Sequence, residues 1–252
     1  MPLPVRRTGN PGLNDRTFAR APRLGIGAEG MSFKGTIDKS FLLLVVLLLA
    51  ALWPWSQYMD TGNAQAVSST LMIGLVGGFV LALIISFKMT LAPYLAIPYA
   101  ALEGLAVGGL SAMLEQRYHG IAIQAVGLTF GVLAVLLFAY RMHWIRATAR
   151  FRAMVIGATG GIALLYLATL VLGFFHVSVP VLYAASPLGI GISLVIVAVA
   201  ALNLVLDFDL IERGVAGGAP KYMEWYAAFG LILTLVWLYI EMLRLLSKVR
   251  RN

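Results

Sequence analysis

Residues 201–246, ALNLVLDFDLIERGVAGGAPKYMEWYAAFGLILTLVWLYIEMLRLL, decide how this chain is read. Two apolar runs of membrane-crossing length are joined by a glycine-rich hinge. Carboxylates fall inside or beside those runs at Asp207, Asp209, Glu224 and Glu241. The chain has only 11 Asp and Glu in all, so four in this stretch is a concentration. An ionisable residue at the centre of a bilayer costs at least about 2.5–3.5 kcal/mol, and those retained line a polar path, pair with a counter-charge or respond to protons.

The rest of the chain agrees with a membrane setting. Of its 252 residues 60% are hydrophobic and 12% charged, against about a quarter charged in a soluble domain. The net charge of +8 sits in an N-terminal tail and in short loops, which is the bias of a multi-pass protein and not a nucleic-acid-binding face. There is no cysteine, which excludes disulfides, thiolate metal sites and cysteine nucleophiles. His119, His143 and His176 each stand alone between apolar runs.

Residues 1–40 are polar, rich in Gly and Pro, and basic, and read as a flexible cytoplasmic tail. Residues 41–248 hold seven apolar segments, at 41–57, 68–87, 91–114, 121–140, 153–175, 186–206 and 225–246, each near the roughly 20 residues that a spanning helix needs. The expected fold is an all-α, seven-transmembrane-helix bundle. Gly74, Gly77 and Gly78, Gly104, Gly108 and Gly109, Gly127 and Gly131, and Gly157, Gly160 and Gly161 mark the second to fifth segments. Small residues four apart let helices approach closely, so these are expected packing faces.

Lys and Arg are concentrated in the tail and the even-numbered loops, which places the N-terminus in the cytoplasm. Arg244, Lys248, Arg250 and Arg251 break that pattern. Either the bias yields at the last helix, or the final segment does not cross normally.

Asn203 and Asp207 are four apart and share one face of the sixth segment. Asp209 points elsewhere and is expected to be solvated beside Glu212. Gly230, Thr234, Trp237 and Glu241 form one stripe on the seventh segment. Each acid has a structural reading beside a functional one. Glu241 can pair with Arg244 three residues on, Glu224 suits the dipole of a helix start, and Asp207 is close enough to a span end to be interfacial. Glu103, in AALEGLAVGG, lies well within the third span and is expected to line a polar core with Asp207. Lys88 is either a counter-charge or a snorkelling residue.

Carboxylates facing one another titrate as a coupled set, and protonation removes charge that holds an arrangement together, which is a physical route to gating. Oxygen groups suit Ca²⁺, but a stable site wants about six to eight ligands, so Asp207 and Glu103 are expected to hold Ca²⁺ only transiently. No enzymatic constellation is present: HExxH, GxSxG and the phosphate loop are all missing. Asp207 and an acid on the next segment superficially suggest an aspartyl protease pair, without the glycine-flanked motifs of such enzymes. The chain is read as a non-enzyme without a cofactor.

At LVLDFDLIE (204–212), LYIEMLRLLSKV (238–249) and YAALEGLAVGG (99–109) the chain resembles the Bax inhibitor-1 family, also called the transmembrane Bax inhibitor motif family. The resemblance covers roughly 41–248. It implies a bundle of six helices around a central C-terminal helix, and a pH-sensitive Ca²⁺ leak in the plasma (inner) membrane. It also implies an aspartate latch between the sixth and seventh helices. Asp207 matches the first latch position. Aligning LYIE puts the second at Glu241, whereas a gap-free match of the chain end puts it at Thr234. The family's second-helix basic residue corresponds to Lys88. Some bacterial relatives modulate a membrane-bound protease, so a non-conducting adaptor is the alternative to a proton-gated cation path.

Overall fold

In the computed structural model, residues 30–62, 64–175 and 184–251 are described. They form seven α-helices: α1 (Phe33–Thr61), α2 (Ala64–Phe87), α3 (Ala92–Arg117), α4 (Ile121–Arg141), α5 (Ala149–Phe174), α6 (Pro187–Ala216) and α7 (Met223–Arg251). All seven are long and apolar enough to cross a membrane. The all-α, seven-helix expectation is met. Most of the expected tail, residues 1–29, lies outside the described residues, as does His176.

Local chemistry sets the helix limits. Ser32, Thr148 and Ser186 are N-caps whose hydroxyls accept from the backbone N–H three residues on, satisfying donors that a helix start leaves open. Between α2 and α3 the chain breaks at Lys88, makes one 3₁₀ turn over Met89–Leu91, and re-enters a helix with proline in the first turn of α3. Gly120 and Gly218 take the positive φ needed at the α3–α4 and α6–α7 turns.

The first helix begins at Phe33 and not near 41. Residues read from composition as tail are therefore folded. Met31 donates its N–H to the Ala219 carbonyl at 2.6 Å, and Thr36 and Ser40 turn their hydroxyls back onto carbonyls four residues earlier. That back-bonding lets polar residues continue a helix without exposed hydroxyls.

The last helix is the axis of the bundle. α7 packs on α1, α3, α4 and α6. Tyr226, Phe229, Ile232, Leu238 and Leu243 are buried along it, and Phe229 meets Tyr99 of α3 edge-on at 4.7 Å between ring centres. α1 and α7 start at the same end of the bundle, where Ser32 meets Glu224. α7 ends beside the α3–α4 turn, where Arg250 donates to the His119 carbonyl. The final segment thus crosses in full, and its basic C-terminus lies at the end opposite Ser32. α2 and α5 lie outside, with side chains such as Phe79, Leu164 and Phe174 more than 60% exposed, as lipid-facing residues are.

Two of the four glycine groups are packing faces. A methyl group on Gly104 or Gly108 of α3 would fall on the backbone carbonyls of Leu47 and Ala51 in α1. On Gly74 of α2 it would come within 2.6 Å of the α3 backbone. By contrast Gly127, Gly131, Gly157, Gly160 and Gly161 have nothing within 4 Å of such a methyl. The expectation for α4 and α5 is corrected: these glycines face outward, because spacing alone does not say which side a glycine stripe faces.

Gly108→Val should therefore force α1 from α3 and destabilise the protein by at least about 1–3 kcal/mol. Gly160→Ala should be neutral or stabilising by up to about 1 kcal/mol. Thermal melting of the two variants in detergent distinguishes these outcomes.

Candidate functional site

The carboxylates concentrated at the end of the sequence separate in space into distinct sites. Glu224, at the start of α7, is fully buried. It accepts from the Ser32 N–H and hydroxyl, each at 2.9 Å, and forms an ion pair with Lys39 of α1. Its role goes beyond the dipole of its own helix, since it fastens the first turn of α1 to the first turn of α7. Gly35 leaves the space that this carboxylate occupies.

Asp209 is not solvated as expected. It lies in ion pairs with Arg152 of α5 at 2.9 Å and Arg213 of α6 at 2.7 Å, while Glu212 accepts from the Tyr140 hydroxyl at 2.5 Å. The correction has a simple cause. Arg152 reads as a loop charge in sequence, but it falls in the first turn of α5, against the last turns of α6.

Glu241 takes its local reading. Arg244 donates to both carboxylate oxygens, at 2.9 and 3.0 Å, and the Tyr166 hydroxyl of α5 and the Trp237 ring N–H donate at 2.7 and 3.3 Å. Arg244 also donates to the Tyr166 hydroxyl and lies over its ring. One carboxylate, one guanidinium and one phenol thus form a closed cluster inside the bundle.

These contacts reveal a polar row not anticipated from sequence. Arg152, Thr159 and Tyr166 recur every seven residues along α5, a spacing that returns to nearly the same helix face. They meet Asp209, Asn203 and Glu241 in turn, with the Asn203 amide donating to the Thr159 hydroxyl at 2.8 Å. α5 otherwise packs chiefly on α6 and turns most of its surface outward. The seven-residue repeat of polar groups in an apolar segment was the available signal. Lys248 is a second such case, a buried C-terminal lysine donating to the Gly189 carbonyl and the Ser193 hydroxyl of α6 at 3.0 and 2.6 Å.

Asn203 and Asp207 are both buried, on α6. α6 and α7 are antiparallel about the 217–222 turn, and Asp207 and Thr234 stand nine and eleven residues from the helix ends that flank it. Thr234 is therefore at the height of Asp207, and Glu241 lies about 10 Å farther along a continuous helix. Thr234 is buried and returns its hydroxyl to the Gly230 carbonyl at 3.2 Å. Of the two alignments, the gap-free one gives the residue nearer in height to Asp207.

Glu103 is half-buried on α3 and turned toward Gly78 of α2, where an added methyl would lie 3.2 Å from its carboxylate oxygen. α3 packs on α1, α2 and α7, whereas α6 packs mainly on α7, so a shared core for Glu103 and Asp207 is not what the packing builds. Lys88 is exposed at the end of α2, as a snorkelling residue is. No group of three or more His, Asp or Glu placed to hold a metal ion occurs among the described residues.

Seven membrane-length helices, one buried at the centre with intramembrane carboxylates held around it, define a multi-pass membrane protein with an ionisable interior. The Bax inhibitor 1 like family model matches residues 10–251, and the chain belongs to that family. No curated protein and no solved structure matches it.

α5 buries little of its surface, so the polar row makes up much of its attachment. Removing two rungs by Thr159→Val with Tyr166→Phe should remove about 1 kcal/mol, at about 0.6 kcal/mol per interhelical hydrogen bond in a bilayer. Amide exchange across 149–174 should then quicken roughly fivefold, with the core of α7 unchanged.

Proposed function

We propose that this protein is a proton-sensitive cation leak pathway, with Ca²⁺ as the permeant ion and the α6–α7 contact at Asp207 as its gate. The observation that carries this reading is the complete burial of the Asp207 side chain on the helix that packs on the central one, within a family the resemblance associates with such leaks. A carboxylate buried at that depth is retained for function by default. Its protonation state changes the charge between two packed helices, and the populations of two packings follow.

In this reading Asp207 is the titrating group, with Asn203 beside it on α6 and Thr234 across from it on α7. Glu103 would contribute a second carboxylate along the α2–α3 side. Asp209, Glu224 and Glu241 are anchors that hold α5, α1 and α7 in register, because each is already neutralised by an Arg or Lys. Ca²⁺ would pass these groups without a resident site, as permeation requires weak binding. The end of the bundle with Lys34, Lys39, Lys88, Arg146, Arg150 and Lys221 would face the cytoplasm, in the plasma (inner) membrane.

A second reading, an adaptor that binds another membrane protein such as a membrane-bound protease, is favoured by the outward glycine face of α5. Gly157, Gly160 and Gly161 are open there, and small residues suit helix docking.

Dye-loaded liposomes containing the purified protein test the first reading. Ca²⁺ flux should vary between about pH 5 and 8. Asp207→Asn should make the flux independent of pH, whereas Glu241→Gln should lower thermal stability and leave a pH dependence in the folded fraction. Flux no greater than in empty liposomes, with folded protein confirmed, would sink the leak and leave the adaptor.

A further inference from the structure

α1 and α4 stand on either side of a cleft whose floor is made by α3 and α7. Its volume is about 390 Å³, within the range of small-ligand sites, and its lining is almost wholly apolar. Leu48 and Leu52 form one wall, Val126 and Phe130 the other, with Gly108 and Leu235 beneath. Gly108, needed for the close approach of α1 and α3, also leaves the floor low.

The shape selects the occupant. Along α4 the cleft runs from Ala122 to Phe130, roughly 12 Å at 1.5 Å per residue, so its mean cross-section is roughly 30 Å². A single turn of helix with its side chains, about 10 Å across and 5.4 Å tall, fills roughly 420 Å³. A whole helix cannot lie within the cleft and could only rest side chains in it, whereas an extended hydrocarbon chain is slender enough to lie along it. The opening faces sideways between side chains that are themselves exposed, Leu52 at 59% and Ile123 at 72%, so the occupant enters from the bilayer and not from water. The cleft is also unfinished as protein packing: Thr129, in the α4 wall, is 5% exposed, and its hydroxyl has no hydrogen-bond partner among the described residues.

Charge defines the other end of the occupant. At the mouth near the Ser111–Tyr239 hydroxyl pair, α3 ends in the exposed Arg117. Arg250 reaches over α4 to the His119 carbonyl and the Gln124 side chain at 2.5 and 2.8 Å. Glu115, in the last turn of α3, accepts from the N–H groups of Gly120 and Ala122 and is turned to the α3–α4 junction. Arg250 is held by two neutral acceptors, which leave its positive charge uncancelled. We propose that the cleft holds one acyl chain of an anionic phospholipid, whose phosphate lies against Arg117 and Arg250. The site is distinct from Asp207 and stands whether or not the protein conducts ions.

Native mass spectrometry of the full chain in mild detergent tests this, with phosphatidylglycerol or phosphatidylcholine of identical chains offered at equal concentration. The wild type should retain one phosphatidylglycerol, in preference to phosphatidylcholine, at energies that strip other lipid. Val126→Trp, which fills the cleft, and Leu48→Phe, a milder change on the opposite wall, should each cut the retained fraction at least tenfold. Leu75→Phe, on the lipid face of α2, should not. Arg117→Gln with Arg250→Gln should bring phosphatidylglycerol down to the phosphatidylcholine level. Undiminished retention in Leu48→Phe and in folded Val126→Trp would overturn the acyl-chain site. Equal retention of the two lipids by the wild type would overturn the anionic headgroup.

Discussion

Charge carried into a bilayer has to find a partner there, and the architecture of this bundle follows from how three carboxylates do so. Glu224 takes Lys39 and the first turn of α1, Asp209 takes Arg152 and Arg213, and Glu241 takes Arg244 and Tyr166. Each pairing joins helices or stiffens the contact between them. Without water to compete, such contacts are directional where apolar packing is not, because lipid tails are as apolar as leucine and give helices little reason to prefer one another. The pairs therefore set register, and the glycines of α2 and α3 set distance.

The two halves of the bundle are consequently held by different physics. α1, α2 and α3 meet through backbone-to-backbone approach at Gly74, Gly104 and Gly108, a contact that side chains cannot adjust. α5 is held to α6 and α7 largely by a polar row, with little burial behind it. A helix attached in this manner can detach without disrupting the packing of the others. Its contacts with α6 fall at Asn203 and Asp209, on either side of Asp207 in the sequence.

That arrangement also assigns different tasks to acids that look alike in sequence. Asp207 and Glu241 both lie in apolar runs near the end of the chain, yet they stand at different heights on antiparallel helices. Glu241 is enclosed by donors from two helices, whereas Asp207 is buried on α6 about two turns nearer the 217–222 turn. A direct carboxylate pair between them would need a broken last helix, and α7 is continuous from Met223 to Arg251.

Much of this was legible in the amino-acid sequence. Seven apolar runs, the family motifs in 204–212 and 238–249 and the local Glu241–Arg244 pair follow from length, hydropathy and spacing, which are properties of a segment by itself. The role of residues 30–39, the outward direction of the α4 and α5 glycines, the partners of Asp209 and Glu224, and the cleft between α1 and α4 do not. Those depend on which helix lies beside which, and in what register. Hydropathy is blind to both, since every apolar face looks equally fit for lipid or for protein. Lys39 and Tyr166 come to Glu224 and Glu241 through the packing around α7, and Arg152 comes to Asp209 through the packing of α5 on α6.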